Sequence, residues 1–169
     1  MTTARRQRKS RRRAVVFFVA LAGLGLWWPV GIAPLAAATT ERVVSDPNSG
    51  LAISGFDPVA YFTDAVPKLG LPEFELRFGG VTWRFRNEGN RAAFLANPEV
   101  YMPQFGGYDP IAVARGAGTA GHAELWTIAE DRLYLFYSPA ARDAFAGDPR
   151  PAIEAAERGW PAVLRTLSP

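Results

Sequence analysis

The chain has 169 residues, of which 49% are hydrophobic and 21% charged, a globular composition that excludes a disordered, collagen-like or polytopic membrane protein. It has no cysteine and one histidine, which excludes disulfides, thiolate metal sites, iron–sulfur clusters and cysteine nucleophiles. The formal net charge is +3, but seven of the 19 basic residues lie in the first 13 positions. The rest has 12 basic and 16 acidic residues, which argues against nucleic acid as a partner.

A signal peptide is predicted over residues 1–38. The basic start is followed by an uncharged apolar run over 14–28 and then by helix-breaking proline and glycine, which is the layout of a secretory signal. Small residues before position 39 favour cleavage after Ala38. The folded part is therefore expected in a periplasmic or extracellular compartment.

Two alternatives concern this segment. Ser10-Arg11-Arg12-Arg13 ahead of the apolar run resembles a twin-arginine signal, which would imply export of an already folded protein. An uncleaved N-terminal anchor is the other alternative, because a basic flank also suits the cytoplasmic end of a membrane helix. Contact with a membrane is expected only through this segment, if it stays uncleaved.

The remainder of the chain contains two similar stretches, which begin at Trp83 and Tyr134. With an offset of 51 positions, identical residues coincide at Phe85/Phe136, Arg91/Arg142, Ala93/Ala144, Phe94/Phe145 and Pro98/Pro149. Upstream, Gly-Phe-Asp-Pro-Val-Ala at 55–60 matches Gly-Tyr-Asp-Pro-Ile-Ala at 107–112. The same order and nearly the same spacing predict an internal duplication.

Each predicted unit, one over 55–98 and the other over 107–149, carries the same local signals. An Asp-Pro pair is typical of a helix start. Alternating apolar residues then predict a β-hairpin, followed by an N-cap residue and a short helix whose Phe points back at the hairpin. The expected fold class is α+β, a small domain of two duplicated helix–β-hairpin–helix units packed around a pseudo-two-fold axis.

The predicted domain covers residues 55–160, between an N-terminal segment at 39–54 and a C-terminal tail at 161–169. After the second unit, a further helix is expected to end at Gly159, with Pro161 starting a last turn.

Four segments resemble a known family: 55–62 (GFDPVAYF), 83–94, 97–101 (NPEVY) and 106–108 (GGY). Together they resemble the YHS domain, specifically the exported stand-alone YHS-domain proteins of bacteria, over about 50–160. In the YHS modules of metal-transporting ATPases, cysteines of the motif suggest a metal site. The matching positions here are Ala60, Arg86, Asn90, Ala112, Tyr137 and Ala141, so the chain resembles a cysteine-free variant. Thiolate binding of copper, zinc or mercury is excluded.

Five residues are predicted to line a ligand pocket: Asp57, Tyr61, Tyr101, Tyr108 and Asp109. The duplication would relate the two aspartates, and the aromatic, glycine-rich connector 101–108 would lie near the axis, where a pocket is expected. The alternative for the aspartates is that each caps its own helix.

For a metal ion, the candidate ligands are Asp57, Asp109 and His122. Carboxylate oxygens suit a hard divalent cation, whereas a lone histidine in a glycine-rich loop is usually solvated. The G-x-G-x-x-G match at 116–121 is not a dinucleotide fingerprint, because it follows a predicted helix and precedes a strand.

The favoured hypothesis is an exported, non-catalytic YHS-type binding or accessory module for an unknown small ligand or protein partner, without a cofactor. The alternative is metal-ion handling through oxygen ligands and histidine, with a divalent metal bound. A small hydrolase-like enzyme is the third, for which the sequence offers no nucleophile or catalytic motif.

Overall fold

The computed structural model describes residues 41–167, so the predicted signal peptide lies outside the described part. The helices and strands in chain order are α1 Ala60–Thr63, β1 Leu71–Phe78, β2 Val81–Phe85, α2 Glu88–Ala96, α3 Pro98–Tyr101, α4 Pro110–Val113, β3 His122–Ala129, β4 Arg132–Phe136, α5 Pro139–Gly147 and α6 Pro149–Leu164. Short 3₁₀ turns precede α1 and α4. The fold is mixed α+β, as predicted. None of the described helices combines the length and the apolar character that crossing a bilayer requires.

Each half contains one antiparallel hairpin, β1 with β2 and β3 with β4. Both hairpins turn through two residues at positive φ, as a type I′ turn requires. The first turn uses Gly79 and Gly80, whereas the second uses Glu130 and Asp131 at φ of 50° and 56°. The predicted hairpins are confirmed; the sequence predicts strands that begin at Phe74 and Glu124, and the structure begins them at Leu71 and His122.

A Phe from the helix after each hairpin packs on that hairpin, as predicted. The ring centroid of Phe94 in α2 lies 5.0 Å from that of Trp83 and 5.2 Å from that of Phe85. Phe145 in α5 lies 4.9 Å from Tyr134 and 5.1 Å from Phe136 in the same way. Residues that are 51 positions apart in the sequence therefore make equivalent ring contacts, with three aromatic rings packed together in each half.

The predicted caps of α2 and α5 are confirmed. The side chain of Asn87 accepts a hydrogen bond from the Asn90 N–H at 2.8 Å, and that of Ser138 accepts one from the Ala141 N–H at 3.2 Å. Each cap satisfies an N–H group that has no partner inside its own helix.

The main core cluster draws on both hairpins, including Trp83 and Phe85 from β2 and Leu133 and Leu135 from β4. The alternate residues of β4 pack into a second cluster with Phe145, so β4 is buried on both faces. The segment before residue 55 also belongs to the core, since five of its residues are buried apolar side chains: Val43, Val44, Leu51, Ala52 and Ile53.

The last helix differs from the prediction. α6 continues through Gly159 and Pro161 to Leu164, so the predicted end at Gly159 is wrong. A Cβ at position 159 would come 2.2 Å from the Val113 carbonyl oxygen, which explains the glycine by the close approach of α6 to α4. Pro161 removes one N–H donor without ending the helix, and Val163 beyond it is buried.

Candidate functional site

Asp57 is a buried carboxylate whose two oxygens are both engaged. Oδ1 accepts the Val59 N–H at 2.8 Å, and Oδ2 accepts the Arg86 N–H at 2.7 Å and the Asn90 Nδ2 at 2.6 Å. The predicted helix start at Asp57 is two residues early, because this side chain closes a turn before α1 begins at Ala60. Asp57 thus joins that turn to the end of β2.

Asp109 makes the corresponding contacts in the second half. Its Oδ1 accepts the Ile111 N–H at 2.8 Å as the N-cap of α4, and its Oδ2 accepts the Tyr137 N–H at 2.9 Å at the end of β4. Both aspartates are buried. Backbone N–H groups therefore occupy these carboxylates, which favours a structural role over ligand binding.

Tyr61 and Tyr108 reach distant backbone groups. The Tyr61 hydroxyl donates to the Ala123 carbonyl at 2.9 Å, and burial raises the pKa of Tyr61, with Glu124 and Asp57 adding to the effect. The Tyr108 hydroxyl donates to the Glu41 carbonyl at 2.5 Å, and burial, with Glu41 adding, raises its pKa to about 12. Each hydroxyl thus holds one part of the chain against another.

Tyr101 and His122 lie apart from the aspartates' hydrogen-bond networks. Tyr101 packs edge-on against Phe62, with 5.4 Å between ring centroids. His122 is exposed at the start of β3 and stacks on Tyr137 at 5.6 Å. Within residues 41–167, no group of three or more histidine or acidic side chains is placed to hold a metal ion.

A cleft of about 680 Å³ opens between the connector after α2, the β3–β4 turn and α6. Its lining residues are Phe78, Pro98, Glu99, Met102, Pro103, Gln104, Phe105, Glu130, Arg132, Tyr134, Ile153 and Glu157. None of the six predicted site residues is among them. The predicted connector does contribute, since residues 102–105 line the cleft.

Tyr134 is the buried polar residue of this cleft. The residue is 3% exposed, and its hydroxyl, which has no hydrogen-bond partner within the described residues, reaches solvent. Burial raises the pKa of Tyr134 to about 12, with Glu130 and Glu157 adding to the effect and Arg132 opposing it. At neutral pH the hydroxyl is therefore protonated, and it can donate a hydrogen bond to a ligand.

The charged groups in the lining of the cleft are mostly acidic. Arg132 Nη1 donates to the Glu99 carbonyl oxygen at 2.7 Å, and Arg150 Nε lies 3.4 Å from Glu130 Oε1. Over the part of the chain that the structure describes, the carboxylates of Glu99 and Glu157 form no ion pair. Three carboxylates and one guanidinium line the cleft.

The repeat in the sequence contained a signal for this site. With the offset of 51, Glu130, Arg132 and Tyr134 correspond to Gly79, Val81 and Trp83. The indole Nε1 of Trp83 donates to the Phe78 carbonyl at 3.1 Å, so its polar atom is satisfied internally. A comparison of the two units therefore draws attention to residues 130–134, which form one wall of the cleft.

No protein-family model, curated protein or solved structure matches the chain.

Proposed function

We propose that this chain is an exported, non-catalytic binding module of the YHS type, and that its ligand binds in the cleft at Tyr134. The proposal of export rests on the predicted signal peptide at residues 1–38. The family assignment rests on the segments that resemble the YHS domain. The single observation that carries the binding site is the Tyr134 hydroxyl, which opens to the cleft at the edge of a buried ring and has no hydrogen-bond partner in the described chain.

The size of the cleft supports this site, because a volume of about 680 Å³ falls in the range of small-molecule sites.

The proposal includes an internal duplication with a pseudo-two-fold axis. Its support comes from equivalent contacts: each aspartate accepts an N–H two residues on and a second N–H at the end of its hairpin. We propose that the contacts common to both halves are structural and that the ligand site belongs to the second half alone.

Binding rather than catalysis is favoured by the chemistry of the lining. A tyrosine with a raised pKa is a hydrogen-bond donor at neutral pH and a poor base or nucleophile. The remaining polar side chains there are glutamates, one glutamine and one arginine, which suit recognition of a charged or polar ligand.

The test is a fragment screen on the full chain, with neutral, cationic and anionic compounds, read by protein-observed NMR. We expect binders to shift the amide signals of Arg132 and Tyr134. Affinity should fall in Tyr134→Phe and stay unchanged in Tyr137→Phe, a matched control on an exposed ring that does not line the cleft. Binders that map to Asp57, Asp109 or His122 instead would overturn the cleft assignment.

The metal alternative stays a prediction, and a thermal melt with Cu²⁺, Zn²⁺, Ca²⁺ and Mg²⁺ tests it. A ligand at 100 times its dissociation constant adds about 2.7 kcal/mol to stability. A rise specific to one ion, lost in Asp57→Asn or Asp109→Asn, would establish metal handling and contradict the proposed module.

A further inference from the structure

We infer that the cleft binds an organic cation, an ammonium or guanidinium group carried on an apolar chain, and this inference rests on the proposed function. The cleft has three glutamates and one arginine in its lining. Its Arg132 is already held by the Glu99 carbonyl, while the carboxylates of Glu99 and Glu157 have no ion-pair partner within residues 41–167. An anionic ligand would meet a net negative lining, whereas a cation would neutralise it.

Tyr134 supplies the independent observation. The residue is 3% exposed, lines the cleft and has a hydroxyl without a partner in the described chain. Burial raises the pKa of Tyr134, Glu130 and Glu157 add to the effect, and Arg132 opposes it. Of the three glutamates in the lining, Glu130 also pairs with Arg150, so Glu99 and Glu157 are the carboxylates left for a cation beside this hydroxyl.

The rest of the lining suits the apolar part of such a ligand. Phe78, Phe105 and Tyr134 provide aromatic rings, and Met102 and Ile153 provide aliphatic surface. Aromatic faces attract ammonium and guanidinium groups, and this attraction increases where water is excluded. The combination of aromatic rings with carboxylates is the ordinary chemistry of organic-cation recognition.

A metal ion fits the same carboxylates poorly. A hard cation such as Ca²⁺ needs six to eight oxygens at about 2.3–2.6 Å. Nowhere between residues 41 and 167 are three acidic or histidine side chains close enough together to supply such a shell. An ammonium or guanidinium group needs no such shell, because it can pair with a single carboxylate.

The experiment compares three eight-carbon probes of the same length on the full chain by isothermal titration calorimetry: 1,8-diaminooctane, 1,8-octanediol and suberate. We expect the diamine to bind at least tenfold more tightly than the diol and suberate to bind most weakly. Affinity for the diamine should fall with added salt, because screening weakens the attraction between the charges.

Two charge-neutralising variants make the test specific. Glu157→Gln should weaken the diamine about fivefold or more and leave the diol unchanged. Glu73→Gln removes the same charge from an exposed position on β1 outside the cleft and should change neither affinity. Equal weakening by both variants would indicate a nonspecific charge effect and overturn the inference.

The outcomes separate this inference from the proposed function. If the diol binds as tightly as the diamine and Tyr134→Phe weakens both, the cleft binds ligands but the preference for a cation is wrong. If suberate binds most tightly, the inference is wrong in the sign of the charge. If none of the probes binds, the cation inference is overturned, and the fragment screen alone decides whether the cleft binds anything.

Discussion

The two hairpins differ at the positions where we propose that a ligand binds. In the first, a Gly79-Gly80 turn is followed by Trp83, whose indole N–H is satisfied by the Phe78 carbonyl. In the second, two charged residues form the turn, and Tyr134 presents an unpartnered hydroxyl to the cleft within the described chain. The first hairpin therefore satisfies its polar groups internally, whereas the second has two non-glycine residues at positive φ and places polar side chains in the cleft.

The largest expected effect on stability comes from replacing Asp57 in the first half or Asp109, its counterpart in the second half. Asp57→Ala leaves the Val59 and Arg86 N–H groups and the Asn90 amide without their acceptor. Each unpaired donor costs about 1–3 kcal/mol, and water can replace part of the lost hydrogen bonding, so we expect the free energy of unfolding to fall by roughly 3–5 kcal/mol. Asp109→Ala should lose roughly 2–4 kcal/mol, because its carboxylate has no side-chain donor corresponding to Asn90. Urea denaturation measures both.

Two further variants sharpen this prediction. Asp143→Ala, at an exposed residue paired only with Arg142, should change stability by about 0.5 kcal/mol or less. In an Asn90→Ala background, the loss caused by Asp57→Ala should shrink toward that of Asp109→Ala. Losses near 1 kcal/mol for both aspartates would instead mean that they act only as helix caps.

The next effect comes from exchanging the hairpin turns. Left-handed backbone costs a non-glycine residue about 1–2 kcal/mol, and Glu130 and Asp131 both adopt it. Replacing both by glycine should stabilise the protein by about 1 kcal/mol, after the greater chain entropy of glycine is subtracted. Gly79→Glu, which builds the strain into the first hairpin, should destabilise it by a similar amount. Thermal melts at pH 7 measure both changes.

The ligand gives this exchange a second readout. Glu130→Gly removes a carboxylate from the cleft, so the stabilised double variant should bind 1,8-diaminooctane more weakly than the parent. A double variant that is less stable than the parent would mean that the turn is not strained, and the exchange would then carry no information about function.

Local parts of the fold could be predicted from the sequence because their causes are local. The Gly79-Gly80 turn and the Asn87 and Ser138 caps depend on residues within a few positions of each other. The second oxygen of Asp57 could not be predicted, because its partner, the Arg86 N–H, lies 29 residues away. The sequence predicts a helix end at Gly159, because it does not reveal the close approach of Val113, which lies far away along the chain.

The cleft was missed for the same reason. Its walls come from segments that are distant in the sequence: the end of β1, the connector, the second hairpin and α6. The sequence indicates the connector through its aromatic and glycine content, and it indicates the repeat, but of the predicted ligand residues only Asp57 and Asp109 lie where the units agree, and none of them lines the cleft. The cleft lies where they differ, at Glu130, Arg132 and Tyr134.

The smallest expected effect on stability is the most informative about function. Tyr61→Phe should cost about 1 kcal/mol at pH 7, because it leaves the buried Ala123 carbonyl without its donor. Tyr134→Phe should cost about zero, because its hydroxyl has no hydrogen bond to lose within the described residues. Chemical denaturation at pH 7 compares the two, and a substantial loss in Tyr134→Phe would show that the hydroxyl has a structural partner.

Alkaline pH extends this comparison. The folded protein holds the pKa of Tyr134 at about 12, above the unfolded value near 10, so folding favours the protonated hydroxyl. This contribution is fully present below pH 10 and is lost as the pH rises through 12. Tyr134→Phe should therefore flatten the fall in unfolding free energy between about pH 10 and 12. A hydroxyl that leaves stability at pH 7 unchanged, yet whose removal weakens ligand binding, is a binding group rather than part of the scaffold.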